Sequence, residues 1–198
     1  GFDFDAGDMI PLCSGWVIIA NQTNERIEIR NIVTGAVDSV YGVPGMPDDL
    51  ELDLDLKRVY VTLPAENLVA SIDLLTSVLQ IAVTNSTPTS ITLTAGELLV
   101  AADGGAELRA YDKMTLAFLS NALDLAGDTI VFNQGSNQLI AASTTTVSVF
   151  DYVLDNVTPA NTLSLFNDDP ANGATLALEL SPNNARLALV NPGGNASF

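Results

Sequence analysis

The chain contains no histidine and a single cysteine, Cys13. Without histidine it can build no Ser-His-Asp triad and no His-ligated zinc, copper or haem site. With one thiol it can form no intrachain disulfide, iron–sulfur cluster or multi-thiolate zinc site. Basic residues are also scarce: 7 Lys and Arg stand against 24 Asp and Glu, for a formal net charge of −17. A surface of that sign repels phosphate backbones and anionic lipid, so nucleic acid is not an expected partner. No apolar run approaches the roughly 18 residues that span a bilayer, so no direct membrane insertion is expected. Gly1 is followed by no basic region or signal-type segment, and the sequence reads as a processed or excised piece.

Apolar residues are plentiful at 47%, laid out in short runs between turn-forming stretches. That content supports a large core and is not that of a disordered chain. Residues 49–83 show the unit most clearly. Leu50, Leu52, Leu54 and Leu56 alternate with Asp49, Glu51, Asp53 and Asp55. This is the period of a strand with one apolar face, and it predicts a first strand over 49–56. Val59 to Leu63 is nearly all apolar, as in a central strand covered on both faces. LVASID (68–73) and VLQIAV (78–83) complete four strands.

The unit recurs along the chain. Before it lie FDFD (2–5), a loop carrying Gly7, Pro11 and Gly15, then WVIIA (16–20), RIEIR (26–30) and a fourth strand over 37–41. After it come SITL (90–93), LLVAA (98–102), ELRAY (107–111) and a weaker strand near 116–119. TIVF (129–132), QLIAA (138–142), TVSVF (146–150), an enlarged connection over 151–160 and TLSLF (162–166) form the next unit. TLALEL (175–180) and ARLALV (185–190) begin a fifth.

Asn31, Asp73, Asp112 and Asp151 stand at the predicted end of each third strand, 42, 39 and 39 positions apart. Periods near 40 with four strands each are the signature of propeller blades. An Asx side chain there can accept a backbone N–H two residues on and start the turn to the outer strand. Thr34, Thr76 and Thr115, three residues after their Asx, suit that turn. The fold class expected is therefore all-β, a β-propeller of four-stranded blades. The blades fall at about 1–42, 48–84, 89–124, 128–167 and 174–198.

These residues resemble the YVTN-type β-propeller repeats of extracellular and surface-layer proteins. Val59, Tyr60, Val61 and Thr62 stand where that repeat has its name-giving motif, with Leu63 in place of Asn. WVIIAN (16–21) and LALVN (187–191) keep the Asn and vary the rest. The Asp-x-x-Thr turns at Asp73 and Asp112 and the Ser-Pro-Asn-Asn turn at Ser181 are also similar to it. The resemblance covers nearly the whole chain and implies a secreted or cell-surface propeller. The family hosts adhesion, scaffolding and enzyme-like members alike, so it does not specify a chemistry.

Candidate ligands come from the acidic strands. If 49–56 is the innermost strand of its blade, Asp53 and Asp55 turn toward the channel, with Asp3 and Asp5 at the equivalent strand one blade earlier. Converging carboxylates of that kind would take Ca2+, a hard cation with six to eight oxygen ligands; the alternative is a solvated acidic face. DFDAGD (3–8) does not have EF-hand spacing. Asn167, Asp168 and Asp169 read as a turn, and the pair Gly104 and Gly105 as a hairpin turn rather than a phosphate cradle, since no helix follows. Without histidine a nucleophile would need a lysine or carboxylate base, and Lys57 and Lys113 sit at predicted turns. Asn21, Asn85, Asn156 and Asn195 begin N-glycosylation sequons in or beside predicted connections.

Two functions from different classes follow. The first is a non-enzymatic extracellular or surface module for adhesion, scaffolding or assembly, with no cofactor. The second is a lactonase-like hydrolase with a channel-bound divalent metal held by Asp53 and Asp55. A purely structural Ca2+ is a third expectation. Four units and half a fifth do not make up a ring of about seven blades. Other protein chains or further blades of the same polypeptide are therefore the expected partners, covering blade faces that would otherwise stand open.

Overall fold

A computed structural model describes residues 4–123, 125, 127–143, 146–153, 156–164, 177–180 and 187–190. Their fold is all-β. β1 (Ala6–Pro11), β2 (Trp16–Asn21), β3 (Arg26–Asn31) and β4 (Val37–Gly42) form the first antiparallel sheet. β5 (Leu50–Asp53), β6 (Arg58–Leu63), β7 (Leu68–Asp73) and β8 (Leu79–Val83) form the second. The third holds β9 (Pro88–Leu93), β10 (Glu97–Ala102), β11 (Glu107–Asp112) and β12 (Phe118–Leu123). The fourth holds β13 (Thr129–Asn133), β14 (Gln138–Ala142), β15 (Thr146–Val153) and β16 (Asn156–Ser164). β17 (Ala177–Leu180) pairs with β18 (Leu187–Val190). Every sheet runs in sequence order, a meander joined by short hairpins. No helix among the described residues is long and apolar enough to cross a membrane.

The chain divides into two compact units, residues 1–91 with 114–116, and 92–113 with 117–198. In the first, Ile18, Ala20 and Ile27 pack with Leu50, Val59, Val61 and Leu63, all sealed from water. In the second, Leu99, Leu108, Leu125, Ile130, Leu139 and Phe150 do the same. Full burial of such a side chain is worth about 1.5–3 kcal/mol, so these two clusters supply the main cohesion of their units. The second strands β2, β6, β10 and β14 are buried on both faces, as their unbroken apolar sequences require. Arg58 donates from Nη1 to the Met114 carbonyl at 2.6 Å, which ties the short 114–116 segment to the first unit.

One hairpin design recurs. Asn31 Oδ1 accepts the N–H groups of Val33 and Thr34, both at 3.0 Å, and Asp73 Oδ1 those of Leu75 and Thr76, at 3.0 and 2.9 Å. Four residues after each Asx the backbone is left-handed, at Gly35 (φ 74°) and Ser77 (φ 60°), and Leu116 (φ 54°) holds the same place after Asp112. The Asx N–H then closes the turn on the fifth residue, Ala36, Val78 or Ala117. Asx-turns at the ends of β3 and β7, and the same backbone turn at the end of β11, thus fall at the expected spacing.

Several expectations need correction. The acidic run is not one strand: β5 stops at Asp53, whose Oδ1 accepts the N–H groups of Asp55 (3.0 Å) and Leu56 (2.9 Å) and turns the chain over. Phe4 and Asp5 lie in no strand, and the first described strand is Ala6–Pro11, in the stretch expected to be a loop; a register irregularity between Ala6 and Met9 interrupts its alternation. Asp151 ends no strand. β15 runs on to Val153 because Tyr152 is buried edge-on against Phe132, ring centroids 5.6 Å apart, and its N–H donates to the Asn137 carbonyl at 3.1 Å. The enlarged connection of 151–160 is therefore mostly the β15–β16 hairpin. The weak strand near 116–119 starts at Phe118, since Leu116 lies in the turn. Asn167 to Asp169 and Ser181 to Asn184 lie outside the described residues.

Candidate functional site

Of the expected metal ligands, the three described ones, Asp5, Asp53 and Asp55, are not grouped to hold an ion. Asp53 is buried and engaged in its own turn, Asp55 is exposed on that turn, and Asp5 is exposed with its N–H donating to Thr23 Oγ1 at 2.8 Å. Asp3 lies outside the described residues. Among the described residues no three Asp, Glu or Cys side chains are grouped to hold a metal ion.

A different set of acids does converge, at the first strands. The Leu50 N–H lies between two carboxylates, Asp49 Oδ1 at 3.1 Å and Asp8 Oδ2 at 3.3 Å. Asp49 Oδ2 accepts the Ile91 N–H at 2.7 Å. Asp48 adds a third carboxylate, held by Gln22 Nε2 at 3.2 Å. The backbones interlock as well: the Asp8 N–H donates to the Asp48 carbonyl at 2.9 Å, and the Asp49 N–H to Thr62 Oγ1, also at 2.9 Å. Gly7 permits the close approach, since a Cβ there would stand 2.8 Å from the Asp48 carbonyl oxygen.

Burial raises all three carboxyls above the ordinary 3.8. For Asp49 it outweighs the N–H of Ile91, which acts in the opposite direction, and the charge of Asp8 adds to the rise; the result is about 7. The pattern has a signal in the sequence that reading for strands missed. Asp8 and Asp49 are 41 residues apart, and so are the donors Leu50, Ile91 and Phe132. In the second unit the Phe132 N–H donates to Thr92 Oγ1 at 3.1 Å. A side-chain oxygen on or just before one first strand thus accepts a backbone N–H about one repeat later.

Most of the described basic residues have structural partners. Glu28, sealed from solvent, accepts from Arg26 Nε (2.7 Å), Arg30 Nη2 (2.7 Å) and Asn21 Nδ2 (2.8 Å). Arg30 also lies over the Phe4 ring, 5.2 Å from its centroid. Arg109 pairs with Glu107 at 2.6 Å. Lys57 occupies a left-handed turn position four residues after Asp53. Among the sequons, Asn21 is buried, its amide donating to Glu28 and its Oδ1 accepting the Asn24 N–H at 3.0 Å; it is not an open acceptor. Asn85 is exposed in a left-handed conformation (φ 61°) between β8 and β9. Asn156 begins strand β16 rather than lying in a connection, and Asn195 is outside the described residues.

The surface has one further distinct element. β8 is the outer edge of its sheet and exposes Leu79 (37%), Ile81 (46%) and Val83 (60%). It carries no charge and pairs with β7 without a register shift, whereas the pairings of β4, β12 and β16 each contain one.

No family model and no curated protein matches the sequence. Among solved structures, a chain of hydrazine synthase from Kuenenia stuttgartiensis superposes with a TM-score of 0.71 at 14% sequence identity; the similarity covers 89% of this chain and 52% of that one. The chain thus spans about half the length of that relative. At such an identity the likeness shows the fold alone. Together with four four-stranded antiparallel meanders, it establishes an all-β chain with the fold of a β-propeller.

Proposed function

We propose that this chain is a non-enzymatic, secreted or cell-surface propeller module of the YVTN-like type, whose work is protein binding in adhesion, scaffolding or assembly. The observation that carries the reading is β8: an uncharged edge strand without a register shift, exposing Leu79, Ile81 and Val83, on a chain of net charge −17. Edge strands are ordinarily guarded by charge, proline or bulges, and one left open is a template for strand addition by another chain. The side chains of Leu79, Ile81 and Val83 alternate along it, which suits a partner strand that presents its own alternating apolar residues.

Light scattering on the isolated chain, wild type against Ile81→Lys, tests this. Association of the wild type that the lysine abolishes is expected. A cooperatively unfolding monomer of 20.8 kDa that recruits no partner strand would overturn the reading. The lactonase-like alternative needs Asp53 free for a metal, yet its Oδ1 already takes two backbone N–H groups. Metal analysis with a lactone hydrolysis assay separates the two readings, because a retained divalent ion with turnover would favour the hydrolase. A melting temperature lowered by chelator with no activity present would instead mark a structural Ca2+.

A further inference from the structure

Asp49 is half-buried at a junction where three chain segments meet. Its Oδ2 accepts the Ile91 N–H at 2.7 Å, and its Oδ1 shares the Leu50 N–H with Asp8 Oδ2. The groups that face it come from every side. β1 presents Asp8, the loop before β5 presents Asp48, β6 presents the Thr62 hydroxyl and the 90–91 segment the Ser90 hydroxyl. The charges acting on Asp49 are thus both acidic, and the other neighbours are neutral. Three half-buried carboxylates without a countercharge among the described residues cannot all ionise cheaply, and a proton taken up by one relieves the other two.

We propose that Asp49 is a proton-operated clasp: with a proton held among Asp49, Asp8 and Asp48 it fastens β1, β5 and the 90–91 segment, and with all three ionised it loosens them. A protonated carboxyl keeps one oxygen to accept the Ile91 N–H and turns its O–H toward a neighbouring acceptor. The ionised form sets like charges against each other around the single Leu50 N–H. Nothing in this depends on the protein-binding reading above.

The direction with pH follows from the raised carboxyls. A folded chain that binds a proton more tightly than the unfolded chain has its full stability below the unfolded carboxylate value of about 4. It loses that stability as pH rises toward the folded value, about 7 for Asp49. Within this window the unfolding constant rises by up to about tenfold per pH unit for each such group. Glu28 and Asp73, whose carboxyls are lowered, act below their ordinary values of 4.5 and 3.8 and so outside the window.

Urea unfolding of the full chain at pH 5, 6.5 and 8, for wild type and Asp49→Asn, is the test. Asn keeps an oxygen for the Ile91 N–H and stands in for the protonated acid. The wild type is expected to unfold at least about tenfold more readily at pH 8 than at pH 5, and Asp49→Asn to lose most of that difference. Wild-type stability that does not change over this range, or a variant that keeps the full difference, would overturn the proposal. Should the variant fail to fold, carbon-13 titration of the wild-type carboxyls decides: a midpoint near neutrality at Asp49 supports the clasp, and a midpoint below about 5 refutes it.

Discussion

Asn21 donates its side-chain amide to Glu28 Oε1 at 2.8 Å, and neither residue reaches solvent. The same carboxylate takes Arg26 on one oxygen and Arg30 on the other. Burial is the largest single influence on Glu28 and acts to raise its carboxyl, but the hydrogen bonds from Arg30, Arg26 and Asn21 together outweigh it and hold the group below 4.5. Removing the charge leaves Arg30 partly buried and unpaired, so Glu28→Ala should cost about 3–5 kcal/mol in urea unfolding. Glu28→Gln should cost less, because it keeps an acceptor. Since the folded value is depressed, the stability that Glu28 supplies is present above about pH 4.5 and lost on further acidification. The Gln variant should not show that loss.

The engagement of Asn21 also orders the sequons. A buried amide already spent on Glu28 cannot be presented to a transferase, whereas Asn85 stands exposed with Thr87, also exposed, two residues on. Expressed in a host that glycosylates exported proteins, the chain should carry glycan at Asn85 and none at Asn21. Peptide mass spectrometry with and without enzymatic deglycosylation reads this directly. Occupancy at Asn21 would show that its pairing with Glu28 forms only after modification, or not at all.

Asp53 separates a turn-former from a metal ligand by two substitutions. Asp53→Ala abandons the N–H groups of Asp55 and Leu56 and should cost about 1–2 kcal/mol. Asp53→Asn keeps the accepting oxygen and should stay within about 0.5 kcal/mol of wild type. A role as cation ligand would predict otherwise: loss of the carboxylate charge in Asn would weaken binding nearly as much as Ala. Equal destabilisation by Asn and Ala that appears only with divalent cation present would replace the turn by the metal site.

The pair Asp53 and Asp49 shows where the sequence is legible and where it stops. Burial of β6 and the Asx-turn at Asp73 could be read directly, because an unbroken apolar run and a side chain bonding two residues ahead are local facts. The alternation of 49–56 was equally visible, but period two says only that four carboxylates share a side. It does not distinguish Asp55, which meets water, from Asp53, which closes a turn, or Asp49, which meets a backbone N–H 42 residues away. The irregular β1 conceals its alternation, so the sequence pattern places Asp8 in a loop. Only the offset of 41 between Asp8 and Asp49 carried that information, and it surfaces once the two are compared as equivalent positions.

Adjacent glycines at the β10–β11 turn allow conformational strain to be separated from close packing. Gly104 (φ 64°) and Gly105 (φ 85°) are both left-handed, where a side chain costs about 1–2 kcal/mol. A Cβ on Gly104 would meet nothing within 4 Å, so Gly104→Ala should show that cost alone. A Cβ on Gly105 would overlap the Gly127 backbone, which passes directly over it while the Leu125 N–H donates to the Gly105 carbonyl at 2.9 Å. Backbone cannot swing aside as a flexible side chain can. Gly105→Ala should therefore cost a further ~1–3 kcal/mol beyond Gly104→Ala. The difference in urea midpoint between the two variants measures the close approach by itself, and equal midpoints would show that the 125–127 segment does not lie against this turn.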